Sequence, residues 1–468
     1  MAHKPTVEPA PETGFDIEID TLIIGAGACG LIAALSATEA GQSVLVVEAD
    51  AVPSGSTALS AGLIPAAGTR LQSALGIDDC ASRFAADIQS KSNGENNPLF
   101  VSSLAAGASE VIHWLMDSHS FDFSLVNDFD YPGHSRRRMH GLPSRAGLEL
   151  VNALRAACDR QGIDIVCRRR AQVLHNDGLQ IHGVTVVDPQ ANTETIECRK
   201  LILACNGFGG NREMVSQHMP SIVDGVWFGH DGNCGEAVLW AEQLGARVRH
   251  LGAFQGHGNV AHPHGILISW AVITQGGVQV NTTGRRFWDE SQGYSEAARA
   301  VLAQPDCVAI TVFDERIAAI ARQFEDFKQA ESVLAVQRFS TLDALAHHFS
   351  LPASALKDSV HGLPVSGVDE FGRQFGHGRC SGQPLTAPYY GVRVTGALFH
   401  TQGGLDVDDE GRVQHISGDA FTNLFAGGGA ACGVSGKGDS GYLSGNGLLS
   451  AVVLGYRAGR AGCVSSVT

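Results

Sequence analysis

The chain has no CxxC pair, no internal repeat and no run of eighteen apolar residues. Each absence excludes something. Eleven cysteines are present but scattered singly (Cys29, Cys80, Cys158, Cys167, Cys198, Cys205, Cys234, Cys307, Cys380, Cys432 and Cys463). That spacing suits neither a structural zinc nor an iron–sulfur cluster, and no metal is expected. No CxxCH occurs, so no attached c-type haem is expected. Without a long apolar run, no helix is expected to span a membrane. Positive charge is scarce: 33 Lys and Arg against 48 Asp and Glu leave a net charge of −15. This argues against nucleic acid or an anionic membrane surface as partner. The first fifteen residues lack the apolar core of a signal peptide, and single thiols in apolar runs suit a reducing compartment. A cytoplasmic location is therefore expected.

What is present is more specific. At 468 residues the chain exceeds one compact core and suggests two or three domains. Its most informative segment starts on the apolar run Thr21-Leu22-Ile23-Ile24. The turn Gly25-Ala26-Gly27-Ala28-Cys29-Gly30 follows, and after a helical stretch the second apolar run Val44-Leu45-Val46-Val47 ends on Glu48. Gly25 permits the tight turn, Gly27 lets backbone approach a pyrophosphate, and Gly30 lets helix and strand pack closely. The helix N-terminus faces the phosphates, and Glu48 can accept ribose hydroxyls. Strand, turn, helix, strand and acid in register predict a bound dinucleotide.

Downstream, the small-residue stretch 53–62 suits backbone lying against a flat ligand. Residues 1–16 read as a disordered tail. The pattern predicts two helices over 81–118 and one over 145–162. Strands follow near 164–176 and 180–188, and a buried strand at 201–205 runs into a glycine turn. Further helices are expected at 235–245, 295–304, 312–323 and 340–349, with a polar, loop-rich stretch at 326–385. A strand with a glycine run closes on 424–429, and a helix over 445–459 presents its N-terminus to phosphate. Arg168–Arg170 reads as a solvated strand end, and Arg285 and Arg286 as anchors for Asp289 or Glu290. The run His134–His140 could be a solvated or cleft-entry loop, with Tyr131 beside the cleft. These elements imply a doubly wound α/β, Rossmann-like domain built from residues 17–254 and 399–468. An α+β cap, residues 255–398, is inserted between the halves.

Several segments, in order, resemble the fumarate reductase / 3-ketosteroid dehydrogenase family of FAD flavoproteins. The resemblance covers about residues 18–463. GAGACG at 25–30 with Glu48 and Ala49 resembles the FAD site. Ser54, Ser56, Thr57, Ser60, Ala61 and Gly62 match the small-residue loop beside the isoalloxazine. ACNGFGGN, with Ala204, Asn206 and Gly207, resembles the segment near the adenosine half, and Ala171 and Val173 are also expected to bind the cofactor. LFAGGGAACGVSG at 424–436 supplies Gly428 and Gly429, and GNGLLSAVVLGYRAG at 445–459 supplies Asn446, Gly447, Leu448 and Leu449. The resemblance implies FAD as cofactor. Many members carry a ribityl-binding Glu where this chain has Gly429, so backbone contacts are expected there. Ser56 or Thr57 stands where covalent members carry a flavin-linked His, so FAD is expected to be non-covalent.

The same resemblance locates an active site between cap and FAD domain. Phe254-Gln255-Gly256-His257-Gly258 is similar to the segment with a substrate-binding His, and Phe399-His400-Thr401-Gln402-Gly403-Gly404 to "HHTMGG". Two positions depart from fumarate reductases. Their proton-donating Arg is Tyr294 here, four residues after Glu290, and their carboxylate-binding Arg is Tyr442. Ketosteroid dehydrogenases carry tyrosines at both places. Two Arg suit a dicarboxylate; two Tyr suit a neutral ketone, one hydroxyl polarising the carbonyl and the other taking the α-proton. His257 and His400 keep the fumarate-reductase pattern, which leaves room for a second polar group on the substrate. The expected activity is α,β-desaturation of a ketone, preferably cyclic, by Tyr294, Tyr442, His257 and His400. The alternatives are reduction of an activated alkene and a fumarate/succinate-type reaction. A free phenol with a pKa near 10 is a poor base at neutral pH, so a cationic neighbour or a relay is required. The small-molecule partner is a ketone or enone. The electron acceptor, whether oxygen, a quinone or another carrier, is not specified by any motif.

Overall fold

A computed structural model describes residues 4–127, 130–364, 366–375 and 383–462; Cys380 and Cys463 lie outside these. The first sheet assembles around the two apolar runs of the opening segment. Strand β1 (Thr6–Glu8) is followed by β2 (Ile17–Ile24), helix α1 (Ala28–Glu39) and β3 (Val44–Glu48). Helices α2 (Ala81–Lys91) and α3 (Pro98–His119) come next, then α4 (Gly147–Arg160), β4 (Asp164–Cys167), β5 (Arg170–Asp177), β6 (Gln180–Val187) and β7 (Thr193–Leu203). The strand order is β1-β5-β6-β7-β2-β3-β4. β2 pairs in parallel with both β3 and β7, so its carboxyl end, where the glycine turn begins, is central. Leu22, Ile23, Leu31, Ile32 and Val46 have no solvent exposure, as expected for a parallel sheet covered on both faces.

The second sheet lies between residues 226 and 401. It contains β8 (Phe254–Ala261), β9 (Val278–Val280), β10 (Val308–Asp314) and β11 (Tyr389–Thr401), in the order β8-β11-β10-β9. Helix α5 (Tyr294–Leu302) packs on it, with Ala297, Ala298 and Val301 fully buried. The chain then returns to the first sheet. β12 (Ala420–Ala426) pairs with β7, and the closing helix α6 (Asn446–Arg460) packs on α1.

Three expectations need correction. Residues 4–16 are not a featureless tail: Thr6, Val7 and Glu8 pair in parallel with Val173, Leu174 and His175, extending the sheet edge. The helix expected over 312–323 begins only at Glu315. Val308–Asp314 is a strand whose every residue is buried, and Asp314 caps the following helix by accepting from the Ile317 N–H at 3.1 Å. The stretch 326–385, expected to be loop-rich, holds helices at Glu325–Ser332, Leu342–Phe349 and Ala353–His361. Helix α3 is long and apolar enough to cross a membrane by composition, but its Val101, Leu104, Ala108, Val111 and Leu115 are wholly buried in the core.

Candidate active site

A continuous cleft of about 730 Å³ runs from the glycine turn to the cap. At its first end, Gly25, Ala26, Gly27, Ala28, Cys29, Glu48 and Ala49 face the space. Glu48 is pinned beside the turn: its Oε2 accepts from the Ala26 N–H at 2.7 Å and its Oε1 from the Asp50 N–H at 2.9 Å. Gly30 does not line the cleft. Its role is packing, because a β-carbon there would overlap the Gly25 carbonyl oxygen. The N-termini of α1 and α6 both open on the cleft through Ala28, Gly447 and Leu448, so two helix dipoles aim their positive ends at phosphate or other anionic oxygens, although the Ala28 N–H already donates to Thr57 Oγ1 at 3.1 Å.

Ser56, Thr57, Ser60, Ala61 and Gly62 line the middle of the cleft with Ala171, Ala204, Asn206 and Gly429. Ser54, Val173, Gly207, Gly428, Asn446 and Leu449 do not. Val173 is spent on pairing with Thr6 of β1. The space at Gly429 is closed: a β-carbon would meet Asn206 Oδ1 and lie 3.0 Å from His400 Nε2. These two polar side chains occupy the position a longer residue would need. Ser56 Oγ accepts from Asn206 Nδ2 at 2.7 Å and Asn233 Nδ2 at 3.0 Å, which fixes the loop. A cradle of small residues, two helix N-termini and a pinned glutamate fit an extended dinucleotide.

The other end is aromatic. The turn before α5 is anchored by Arg286, which pairs with Glu290 and, at 2.6 Å, with Asp369. Gly293, at φ +131°, then swings the chain so that Tyr294 points into the cleft. Tyr294 and Tyr442 meet edge to face with ring centroids 6.1 Å apart. Tyr294 Oη donates to Ser444 Oγ at 3.0 Å. His257 stacks on Tyr294 at 5.0 Å and on Phe399 at 5.3 Å, and Phe399 stacks on Phe228 at 4.6 Å. Trp270 sets its edge against His257. The register makes this possible: β8 and β11 are antiparallel, Gln255 faces His400, and the pairing slips between Gln255 and Gly256 so that Phe399 is skipped. His400 Nδ1 contacts Gln402 Nε2 at 2.8 Å, and Gln402 Oε1 accepts from Ser435 Oγ at 2.9 Å. All four expected catalytic residues thus share one end of one cleft.

Burial raises the Tyr294 phenol well above its ordinary value, and the neighbouring Tyr442 adds to this. Burial pushes Tyr442 up to about 12, against the pull of the Gly447 and Gly445 backbone N–H groups on its oxygen. Among the described residues no cationic group acts on Tyr294, whose one side-chain hydrogen-bond partner is the Ser444 hydroxyl. Burial also lowers His257 to about 3 and His400 to about 4, so both rings are neutral at pH 7.

His140, outside the cleft, is likewise lowered to about 4 by burial. In the unfolded chain all three histidines protonate near 6.5. Below that pH the unfolded state binds more protons, so stability declines as pH falls from about 6.5 toward 4. Thermal unfolding should therefore give a lower midpoint at pH 5 than at pH 7. Each histidine contributes at most about 2 kcal/mol, and His140→Gln should flatten the dependence. A midpoint unmoved by acid would contradict it.

The basic runs fall differently. Arg138 is wholly buried between Asp79 (2.7 Å) and Asp87 (2.5 Å), while Arg136 and Arg137 stay at the surface. None enters the cleft. Arg169 and Arg170, expected at a solvated strand end, also line the cleft, Arg170 staying exposed at the start of β5, and Arg145 lines it too. Each is engaged: Arg169 with Glu194 (3.0 Å), Arg170 with Glu236 (2.5 Å), Arg145 with the Ser124 and Gly141 carbonyls. Ser444, Phe228 and Trp270 were not legible as site residues. Only the Ser444 position, within the Tyr442–Asn446 loop, carried a signal that could have found it. Tyr131 lines the cleft, and burial raises its phenol.

The FAD binding domain family profile matches residues 20–448. The probable fumarate reductase Ifc3 of Shewanella frigidimarina is 30% identical over 465 residues, 97% of this chain and 76% of that protein. The open conformation of a flavocytochrome c3 fumarate reductase superposes with a TM-score of 0.80 at 28% identity, over 96% of this chain and 78% of that one. The 3-ketosteroid-Δ4-(5α)-dehydrogenase of Rhodococcus jostii RHA1, in complex with 4-androstene-3,17-dione, shares the fold with a TM-score of 0.76 at 23% identity, over 97% and 99% of the two chains.

Proposed function

This chain belongs to the FAD binding domain family and is an FAD-dependent oxidoreductase related to fumarate reductases, and we propose that it desaturates a ketone, preferably cyclic, at the α,β carbon–carbon bond. One observation carries the reading: the buried Tyr442 and the half-buried Tyr294 converge at the cap end of the cleft, while every cleft-lining guanidinium among the described residues is engaged elsewhere. A dicarboxylate would lack its bidentate partners. A neutral carbonyl finds the Tyr442 hydroxyl, which the Gly447 and Gly445 N–H groups hold in place and polarise so that it can donate to the carbonyl oxygen. Each such donor is worth about 3–4 kcal/mol to a developing enolate.

Tyr294 takes the α-proton, passing its own to Ser444. FAD, when bound, supplies the two-electron acceptor for the β-hydrogen, which leaves as hydride. Neutral His257 and His400 orient the rest of the substrate, and His400 offers a hydrogen bond to a second polar group. The cofactor is held without a covalent bond by the residues of the cradle, since serine and threonine stand at 56 and 57 and Ser56 is already held by two amides. The reverse reaction, reduction of an enone with Tyr294 as proton donor, is the second reading. It is favoured by the raised proton affinity of Tyr294.

Anaerobic mixing of the oxidised holoprotein with a panel of saturated cyclic ketones tests the proposal. Bleaching of the oxidised flavin band is expected, with none on mixing with succinate. Bleaching by succinate alone would overturn it. Reoxidation of the reduced protein by cyclic enones, without bleaching by any saturated ketone, would select the second reading.

A further inference from the structure

The tyrosine wall has a second face. Three segments contribute to the cleft and also to a smaller cavity of about 480 Å³ behind it. Tyr131 faces the cleft and Gly133 the smaller cavity. Tyr294 faces the cleft, and Gln292 and Glu296 the smaller cavity. Tyr442 and Ser444 face the cleft, and Ser440 the smaller cavity. The two spaces are thus separated by a single layer of chain. Helix α2 closes the far side with Asp87 and Lys91, next to the exposed Asn93.

Glu296 is 4% exposed. One of its carboxylate oxygens pairs with Lys91 Nζ, which also donates to the Gln292 carbonyl at 2.7 Å. The other oxygen has no hydrogen-bond partner. The charged groups around it are Lys91 and Asp87 from α2, and Asp439 from the turn Asp439–Gly441, itself paired with Arg299 at 3.1 Å. Burial raises the proton affinity of Glu296, with Lys91 opposing. A desolvated carboxylate whose second oxygen is buried and unpaired, two residues from Tyr294 and within the layer between the two spaces, is equipped to receive a proton.

We propose that Glu296 is the exit for the proton released in the cleft. This rests on the reading of Tyr294 as the group that takes the α-proton. The α C–H bond breaks, its electron pair becomes the enolate, and its proton goes to the Tyr294 oxygen. The Tyr294 hydroxyl proton moves to Ser444 Oγ, the Ser444 proton crosses the layer of chain to the buried oxygen of Glu296, and Glu296 releases a proton on its second-cavity side. Lys91 holds the carboxylate in place.

The test compares wild type, Glu296→Gln and Tyr294→Phe as FAD-loaded proteins. With a ketone that bleaches the wild-type flavin, Glu296→Gln should retain its FAD but bleach about a hundredfold more slowly, with a lowered thermal midpoint because Lys91 loses its partner. Added formate should restore the rate in proportion to its concentration, because a small carboxylate can enter the second cavity. A wild-type rate, or a slow rate that formate does not restore, would overturn the exit while leaving Tyr294 in its role if Tyr294→Phe is inactive. If no ketone bleaches the wild type, the function falls, and ultraviolet titration of tyrosinate still tests the coupling. The step missing from Tyr294→Phe should move at least tenfold in proton concentration in Glu296→Gln. An unmoved step would overturn the coupling.

Discussion

Tyr294→Phe should slow ketone-driven bleaching of the flavin by about 10²–10⁴-fold, the span expected when a positioned proton-transfer group is lost. The protein should remain yellow and folded. The ring that Phe keeps still stacks on His257 at 5.0 Å and still faces Tyr442, so the wall is unchanged. Only the hydroxyl and its 3.0 Å bond to Ser444 disappear. Tyr442→Phe should cost less, about 10²–10³-fold, because removing the hydroxyl frees the Gly447 N–H that was bonded to it. Anaerobic stopped-flow of both variants separates the roles: a rate unaffected in Tyr294→Phe would remove that residue from the chemistry.

Gly30→Ala should yield a protein that binds FAD weakly or not at all. The added methyl overlaps the Gly25 carbonyl oxygen and lies 3.3 Å from Ile23 Cγ2. The carbonyl is backbone and cannot swing aside, so the helix must lift from the strand and the glycine turn must deform. Overpacking of this kind costs about 1–3 kcal/mol, roughly ten- to a hundredfold in cofactor affinity if it falls wholly on the bound state. Absorbance of the purified protein and titration of the apoprotein with FAD would measure it. Retention of the wild-type affinity would mean that close helix–strand packing does not shape the cofactor cradle.

The nucleotide end was readable because its parts are contiguous. Gly25 to Gly30 and Val44 to Glu48 each carry a local rule about backbone freedom or apolar run, and the rule survives folding. The cap end was readable only where a motif placed a residue, as with Tyr294, Tyr442, His257 and His400. Phe228 and Trp270 arrive from segments with no pattern of their own, and a β-bulge between Gln255 and Gly256 decides which rings meet. Val308–Asp314 reads equally well as buried helix or strand, since a short apolar run has no period to separate them. Thr6–Glu8 has no apolar signal; β1 exists because a sheet edge is there to receive it. The ion pairs of Arg169 and Arg170 are invisible in sequence because Glu194 and Glu236, their partners, lie 25 and 66 residues away.

The pile of rings from Phe228 through Phe399 and His257 to Tyr294 sets how the cleft greets a ligand. Interlocked aromatic faces have few rotamers to lose, so this wall stands preorganised before anything enters, and little conformational entropy remains to be surrendered on association. Ligands should be discriminated there by flatness and by their fit to a stiff surface, with recognition driven more by enthalpy and dispersion than by side chains folding around the guest.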